Sequence, residues 1–266
     1  MASSTRGTRV LTIIGALALA LAISVAAIFL GRWQWHRHDV RAEEMAAFDA
    51  GQSQAAAPLA SVLRPDAGQL PDGARWRTAT VSGRFHTESL TWLRNRPVGG
   101  KPATHALAWF VTDDGRALLV DAGWIDAGAV NRPGLPKEQL TLTVTLRPVE
   151  ADDGKRGDSA TRITPSQVPQ PPAPAYPGYG VVAEACQDPC GPLPGLVITP
   201  LPHLSLGPHM SYAAQWYLLA LAAPTLVVVW FVRQRRETAE IPTATREPKV
   251  RRRRAEPSDE EIEDAL

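Results

Sequence analysis

Cysteine is nearly missing from this chain. Two occur in 266 residues, Cys186 and Cys190, so at most one disulfide can form. Charge of one sign is missing too: 28 Lys and Arg face 27 Asp and Glu, a net charge of +1, and nothing suggests a nucleic-acid partner. The sequence has no Gly-rich phosphate loop, no Gly-x-Ser-x-Gly elbow and no His-Glu-x-x-His helix. With no acid–base or nucleophile constellation in view, the chain is not expected to be an enzyme. Internal repeats are absent, and aromatic residues are few apart from 8 Trp.

What is abundant is apolar sequence in two blocks. Val10 to Leu30 carries no charge and only Thr12 and Ser24 as polar side chains. A run of about 20 apolar residues crosses the roughly 30 Å bilayer core as a helix. Ala213 to Val232 is a second such run, and the second span is set at 212–232. The first run is longer than the 7–15 apolar residues of a signal peptide, which favours an uncleaved anchor. Arg233, Arg235 and Arg236 follow the second span, with more Arg and Lys at 246–254, while Gly195 to Tyr212 has none. The positive-inside rule then puts both termini in the cytoplasm and residues 31–211 outside.

The expected order is a leader at 1–9, a first span at 10–30, an outer domain at 31–211, a second span at 212–232 and a disordered tail at 233–266. Residues 31–51 favour helix and contain no Pro, with Gly51 as a stop. Strands are expected at 75–85, 89–95, 106–112, 116–125, 139–149 and 179–185. Leu140, Leu142, Val144 and Leu146 alternate with Thr141, Thr143 and Thr145, the period of a half-buried strand. Asp113-Asp114-Gly115 marks a hairpin. Residues 165–178 are Pro-rich and read as an extended linker. The fold class is therefore an α+β membrane protein, with two transmembrane helices flanking an extracytoplasmic antiparallel β-sheet or partial barrel.

Few residues suggest chemistry. Outside the cytoplasm Cys186 and Cys190 favour a disulfide, with a copper-binding pair or a redox dithiol as alternatives. Trp33, Trp35, Arg32 and Arg37 have the composition of an interfacial belt. His209, at the mouth of the second span, reads either as an interfacial hydrogen-bonding group or as a haem-iron ligand.

Five motifs in order bear a resemblance. Gly31-x-Trp33-Gln34-x-x-Arg37 follows the first span, and Gly83-x-Phe85 lies in the β region. Leu93 to Arg96 and Leu119-Val120-x-x-Gly123-Trp124-Ile125 come next, and His209-x-x-Tyr212-x-x-Gln215-Trp216 opens the second span. Together they resemble the Surfeit locus protein 1 family over most of the chain. Asp121-Ala122 departs from that pattern, standing where the family generally has Asn-Arg, and the cysteine pair and the tail are extra.

The resemblance implies an assembly factor for haem–copper cytochrome c oxidase in a bacterial cell membrane. It would help haem a reach the catalytic subunit, with haem a synthase as a further partner beside the lipid bilayer. Carried over, His209 would ligate the iron, Arg32 or Arg37 would pair with propionates, and Trp33, Gln34, Tyr212 and Trp216 are the matched signature positions. Gly123 and Trp124 would be structural. Two other classes remain open: a scaffold for oxidase subunits that does not touch haem, and a copper or thiol carrier using Cys186 and Cys190.

Overall fold

A computed structural model describes residues 3–64, 68–186 and 189–239. The elements in chain order are helix α1 (Ser3–Gln52), strand β1 (Ala57–Pro58), the short helix α2 (Leu59–Val62) and strands β2 (Thr78–Leu93), β3 (Ala103–Thr112), β4 (Ala117–Asp126) and β5 (Leu140–Arg147). Then follow β6 (Ser159–Ala160), β7 (Ala175–Cys186), β8 (Cys190–Gly191) and helix α3 (His209–Ala239). The chain divides into two compact units, one of Met1–Arg32 with Ala213–Leu266 and one of Trp33–Tyr212.

The first unit is helical. Both long helices are long and apolar enough to cross a membrane. Leu11, Leu19, Leu21 and Phe29 of α1 and Leu218, Leu221 and Leu226 of α3 are exposed, so the unit buries little of its own apolar surface. The two helices meet along small residues, as helices do in lipid, where close backbone approach supplies the attraction. Ser24 Oγ donates to the Ala220 carbonyl at 2.8 Å. A Cβ on Gly31 would stand 2.8 Å from the Tyr217 ring. Ala20, Ala27, Ala213 and Ala220 are buried. Pro224 sits inside α3, a placement that neighbouring groups tolerate in apolar helices. Helix α1 begins at Ser3, within the expected leader, and the candidate span starts at Val10; α3 continues to Ala239, past the expected end of the second span at Val232. The remainder of the expected tail, 240–266, lies outside the described residues.

The second unit is built on one sheet ordered β1-β2-β3-β4-β7-β5. A further pairing of β5 with β2 links the last strand of this path to its second. β2 makes this possible by serving two neighbours: Thr78–Gly83 pairs with β5, and Gly83–Leu93 pairs with β3. The strands expected at 75–85 and 89–95 are this one strand, with a register shift between His86 and Thr91. The antiparallel expectation holds for β2·β3, β3·β4, β5·β7 and β2·β5 and fails for β4·β7, which is parallel, as are the short pairings of β1 and β6 with β2. The reason is the long connection from β5 to β7, which lets the chain re-enter beside β4 in the same direction, a path no hairpin allows.

β3 and β4 are buried on both faces. Ala106, Ala108, Phe110, Leu118 and Val120 point into one cluster, joined by Leu140, Leu142, Val144 and Leu146 of β5 as their alternation predicts. Leu107, Trp109, Ala117 and Leu119 point into the other, which Ile163 and Val168 cover. The Pro-rich 165–178 segment is thus not a free linker. Trp109 Nε1 donates to the Pro169 carbonyl at 2.7 Å, and Ala117 N–H donates to Pro174. Proline's missing donor matters little here, because the strap contributes carbonyls.

Gly51 does not end α1 through a left-handed turn. The helix runs to Gln52, and Gly51 is the point of closest approach: a Cβ there would meet the Arg75 carbonyl at 2.7 Å. Trp76 fills the junction. Its ring is buried, its Nε1 donates to Glu44 Oε1 at 2.9 Å, and its edge meets Phe48 at 5.1 Å between centroids.

Candidate functional site

His209 is the last residue of a Pro-rich approach and the first of α3. Its Nδ1 lies 2.9 Å from Oε1 of Gln34, on α1. An amide oxygen only accepts, so Nδ1 carries the proton and the lone pair of the neutral ring stands on Nε2. That is the nitrogen a metal would take, with its orientation set by a hydrogen bond behind it.

The imidazole borders a cavity of about 520 Å³. From α1 the cavity receives Arg37, Arg41 and Glu44 at spacings of four and three residues, one face of the helix. From the sheet come Trp76 and Arg147, whose guanidinium lies 3.7 Å above the Trp76 ring. Glu44 is bound to Arg75 and to Trp76 Nε1, so it is not free to neutralise Arg37, Arg41 and Arg147. The cavity therefore holds an excess of guanidinium, suited to carboxylates.

The expected site residues divide. Gln34 holds His209, and Arg37 and His209 line the cavity. Trp33 does not line it: the ring is exposed and Arg37 stacks on it at 5.5 Å. Tyr212 is exposed, with its N–H bonded to the Pro208 carbonyl. Arg32 and Trp216 belong to the helical unit, where Trp216 is half-buried. Arg41 and Glu44 escaped the sequence reading although their spacing from Arg37 was a usable signal; Arg147 and Trp76 carried none.

The Cys186–Cys190 pair is a disulfide that closes the β7·β8 turn. Its sulfurs are bonded to each other, so in this state the pair offers no thiolates, although with Glu184 the two cysteines are grouped closely enough to hold a metal ion. The intervening residues 187 and 188 lie outside the described residues. A loop this short restricts the unfolded chain little. The double variant Cys186→Ser with Cys190→Ser is expected to lose no more than about 2 kcal/mol of stability and to keep its fold, checked by thermal melting of the purified chain.

Gly123 and Trp124 have the structural role the resemblance assigns them. The β3·β4 register shifts between His105 and Leu107, and Gly123 takes φ +130° opposite that shift. A Cβ on Gly123 would stand 2.7 Å from the Val197 carbonyl. Trp124 and Val197 exchange both backbone hydrogen bonds at 2.9 Å, which lays the 196–199 segment along the bulge.

The SURF1 family model matches residues 21–221 of the chain. Among curated proteins, an uncharacterised SURF1-like protein of Mycobacterium bovis is 28% identical over 226 residues, which cover 77% of this chain and 80% of the relative. SURF1-like proteins of Mycobacterium tuberculosis strains CDC 1551 and H37Rv match to the same extent and are likewise uncharacterised.

Proposed function

The chain belongs to the SURF1 family, and on that premise we propose that it is an assembly factor for haem–copper cytochrome c oxidase, holding haem a through His209 for delivery to the catalytic subunit. The observation that carries this reading is the His209 imidazole, its Nδ1 tied to Gln34 and its side chain lining a cavity of about 520 Å³ with Arg37, Arg41 and Arg147. The residues present fit the cargo. A neutral imidazole nitrogen ligates haem iron, and Arg37, Arg41 and Arg147 match the two propionates.

In this reading the protein makes and breaks only a coordinate bond from His209 to the iron and leaves the covalent bonds of the haem unchanged. Gln34 orients the ligand, Arg37 and Arg147 fix the acidic edge, and release requires only that the oxidase subunit compete for iron. The protein acts as a carrier rather than an enzyme. The apolar helices hold it in the bacterial cell membrane with both termini cytoplasmic, as the arginines after the second span favour. The second unit then lies outside, with haem a synthase as a donor-side partner.

The test is spectroscopic. The protein, purified in detergent from cells that make haem a, is expected to show a haem a band in its reduced-minus-oxidised spectrum. His209→Ala should lower that band at least about tenfold, in line with the loss of a ligand or its support. A folded wild-type protein without the band would favour the scaffold. An unchanged band in the variant would remove the ligand assignment.

A further inference from the structure

The end of β7 carries a cluster that the His209 reading does not use. Cys186 stands opposite Cys190 in the β7·β8 register, and Ala185 stands opposite Gly191. Successive side chains of a strand point to opposite faces, and directly paired residues share a face. Ala185 points into the core, so Glu184 and Cys186 point outward, and Cys190 joins them on that outer face. The two Sγ atoms and a carboxylate oxygen of Glu184 all lie within 4.8 Å of one another. Among the described residues no other group of three or more His, Cys, Asp or Glu side chains converges in this way. Glu184 is exposed, and among the described residues no basic side chain pairs with it.

While the sulfurs are bonded to each other they offer no thiolate to a cation. Cys190 is exposed and Cys186 half-buried, and exposed disulfides are the ones that exchange readily. Exchange with a dithiol balances. A thiolate of the reductant attacks one sulfur, and its second thiol resolves the mixed disulfide. Two electrons and two protons pass to the protein, and the reductant leaves as a disulfide. Cys186 and Cys190 are then thiols, kept close by the short connection between them and by the β7·β8 pairing. A cation that binds displaces the two thiol protons and takes two thiolates and the Glu184 carboxylate. This mixed set decides the metal. Cu(I) is selected by soft sulfur ligands and has no use for a carboxylate, whereas Zn²⁺ takes Cys and Glu together. Three protein ligands leave the fourth tetrahedral position of zinc to water, the arrangement of a site open to exchange.

We propose that the Cys186–Cys190 disulfide is the closed state of a redox-gated zinc site, which a dithiol reductant opens and the Glu184 carboxylate completes. The site shares no residue with the His209 cavity, so it does not rest on the haem reading. It gives the β-rich unit a second binding function, for a thiophilic divalent cation, that is present only when the pair is reduced.

The chain has only these two cysteines, so thiol chemistry reads this site alone. The full-length protein in detergent is reduced with an immobilised dithiol, separated from it without air and titrated with Zn²⁺. The thiols left open to N-ethylmaleimide are then counted by mass spectrometry. One Zn²⁺ per chain is expected to protect both cysteines from alkylation. Co²⁺ in its place should give a thiolate-to-metal charge-transfer band, absent from the oxidised protein and from the double variant Cys186→Ser with Cys190→Ser. Glu184→Gln should raise the Zn²⁺ concentration for half protection at least about tenfold, since losing a ligand costs no less than losing its support. Its side chain is exposed, so the change does not disturb the core, and circular dichroism on each variant confirms the fold. If the folded protein resists the dithiol, or if Zn²⁺ leaves the reduced thiols unprotected, the gated site is overturned. A Co²⁺ band that is the same in oxidised protein overturns it too. Equal protection in Glu184→Gln removes the carboxylate from the ligand set, and the zinc assignment falls with it.

Discussion

Trp76→Ala is expected to destabilise the β-rich unit by about 3–5 kcal/mol, the range for deleting a large buried aromatic. Several losses combine. The side chain is 1% exposed, so its removal leaves a void between α1 and the sheet. Glu44 loses the Nε1 donor, Phe48 loses its edge contact, and Arg147 loses the ring beneath its guanidinium. The backbone at Trp76 is itself fixed from both sides: its N–H donates to the Leu146 carbonyl at 2.9 Å, and its own carbonyl accepts from Gln52 Nε2 at 2.7 Å. These bonds hold φ at +63°, a conformation a bulky residue rarely takes. Such a residue persists only where its surroundings over-determine it, and here they are the wall of the His209 cavity. Urea unfolding of the detergent-solubilised protein, followed by circular dichroism, measures the loss. Trp76→Phe is the milder change, because it keeps an aromatic ring at the junction while losing the donor to Glu44 and part of the buried volume; the expected cost is about 1–3 kcal/mol. Under the proposed function, haem binding should also fall in the alanine variant where enough folded protein remains to assay, since Arg147 is no longer stacked in place.

Gly83→Val should be more damaging still, exceeding about 4–5 kcal/mol and leaving little folded protein in the membrane fraction. Gly83 is the one residue of β2 paired with both neighbours, Thr112 of β3 and Leu140 of β5. A Cβ there would lie 2.0 Å from the Val111 carbonyl and 2.9 Å from Thr112 Cα. Both obstacles are backbone, so no rotamer change relieves them, and β2 must separate from β3. That breaks the ring of pairings where it depends on a single strand. Gly99→Ala is the fitting control. Gly99 has φ +57°, but a Cβ there meets nothing within 4 Å, so only the left-handed backbone penalty of about 1–2 kcal/mol applies. Membrane-fraction abundance of the two variants, compared by immunoblot, checks the contrast. Equal abundance would mean that β2 and β3 can part at this point without cost.

Much of the molecule was legible in its sequence where a local pattern reports burial. An uncharged, mainly apolar run of 21 residues, Val10 to Leu30, has few uses besides a bilayer, and the alternation of Leu140 to Leu146 placed one face of β5 in the core. Gln34, Arg37 and His209 were singled out by short motifs next to the spans, and the structure brings all three to one place. Arg41 and Glu44 lay within reach, since helical spacing from Arg37 points to them. The Pro-rich strap was misread because proline content reports backbone conformation and not what the chain lies against.

The rest was decided by contacts between residues far apart in the chain. Nothing local distinguishes a β4·β7 pairing that runs parallel from one that runs antiparallel. The choice depends on the course of the connection and on which faces it covers. His105 and Asp121 are 16 positions apart and meet because a bulge opposite Gly123 shifts the register between their strands. Trp76, just before β2, and Arg147, at the end of β5, are far apart in the chain and reach the His209 cavity together because β2 pairs with β5. Side-chain periodicity is set by neighbours three or four residues away in a helix and two away in a strand, and it specifies the apolar runs, the strands and the motif beside the second span. Strand partners and buried polar pairs are set by loop closure and by the competition of every donor and acceptor for a partner, and only the folded chain resolves that competition.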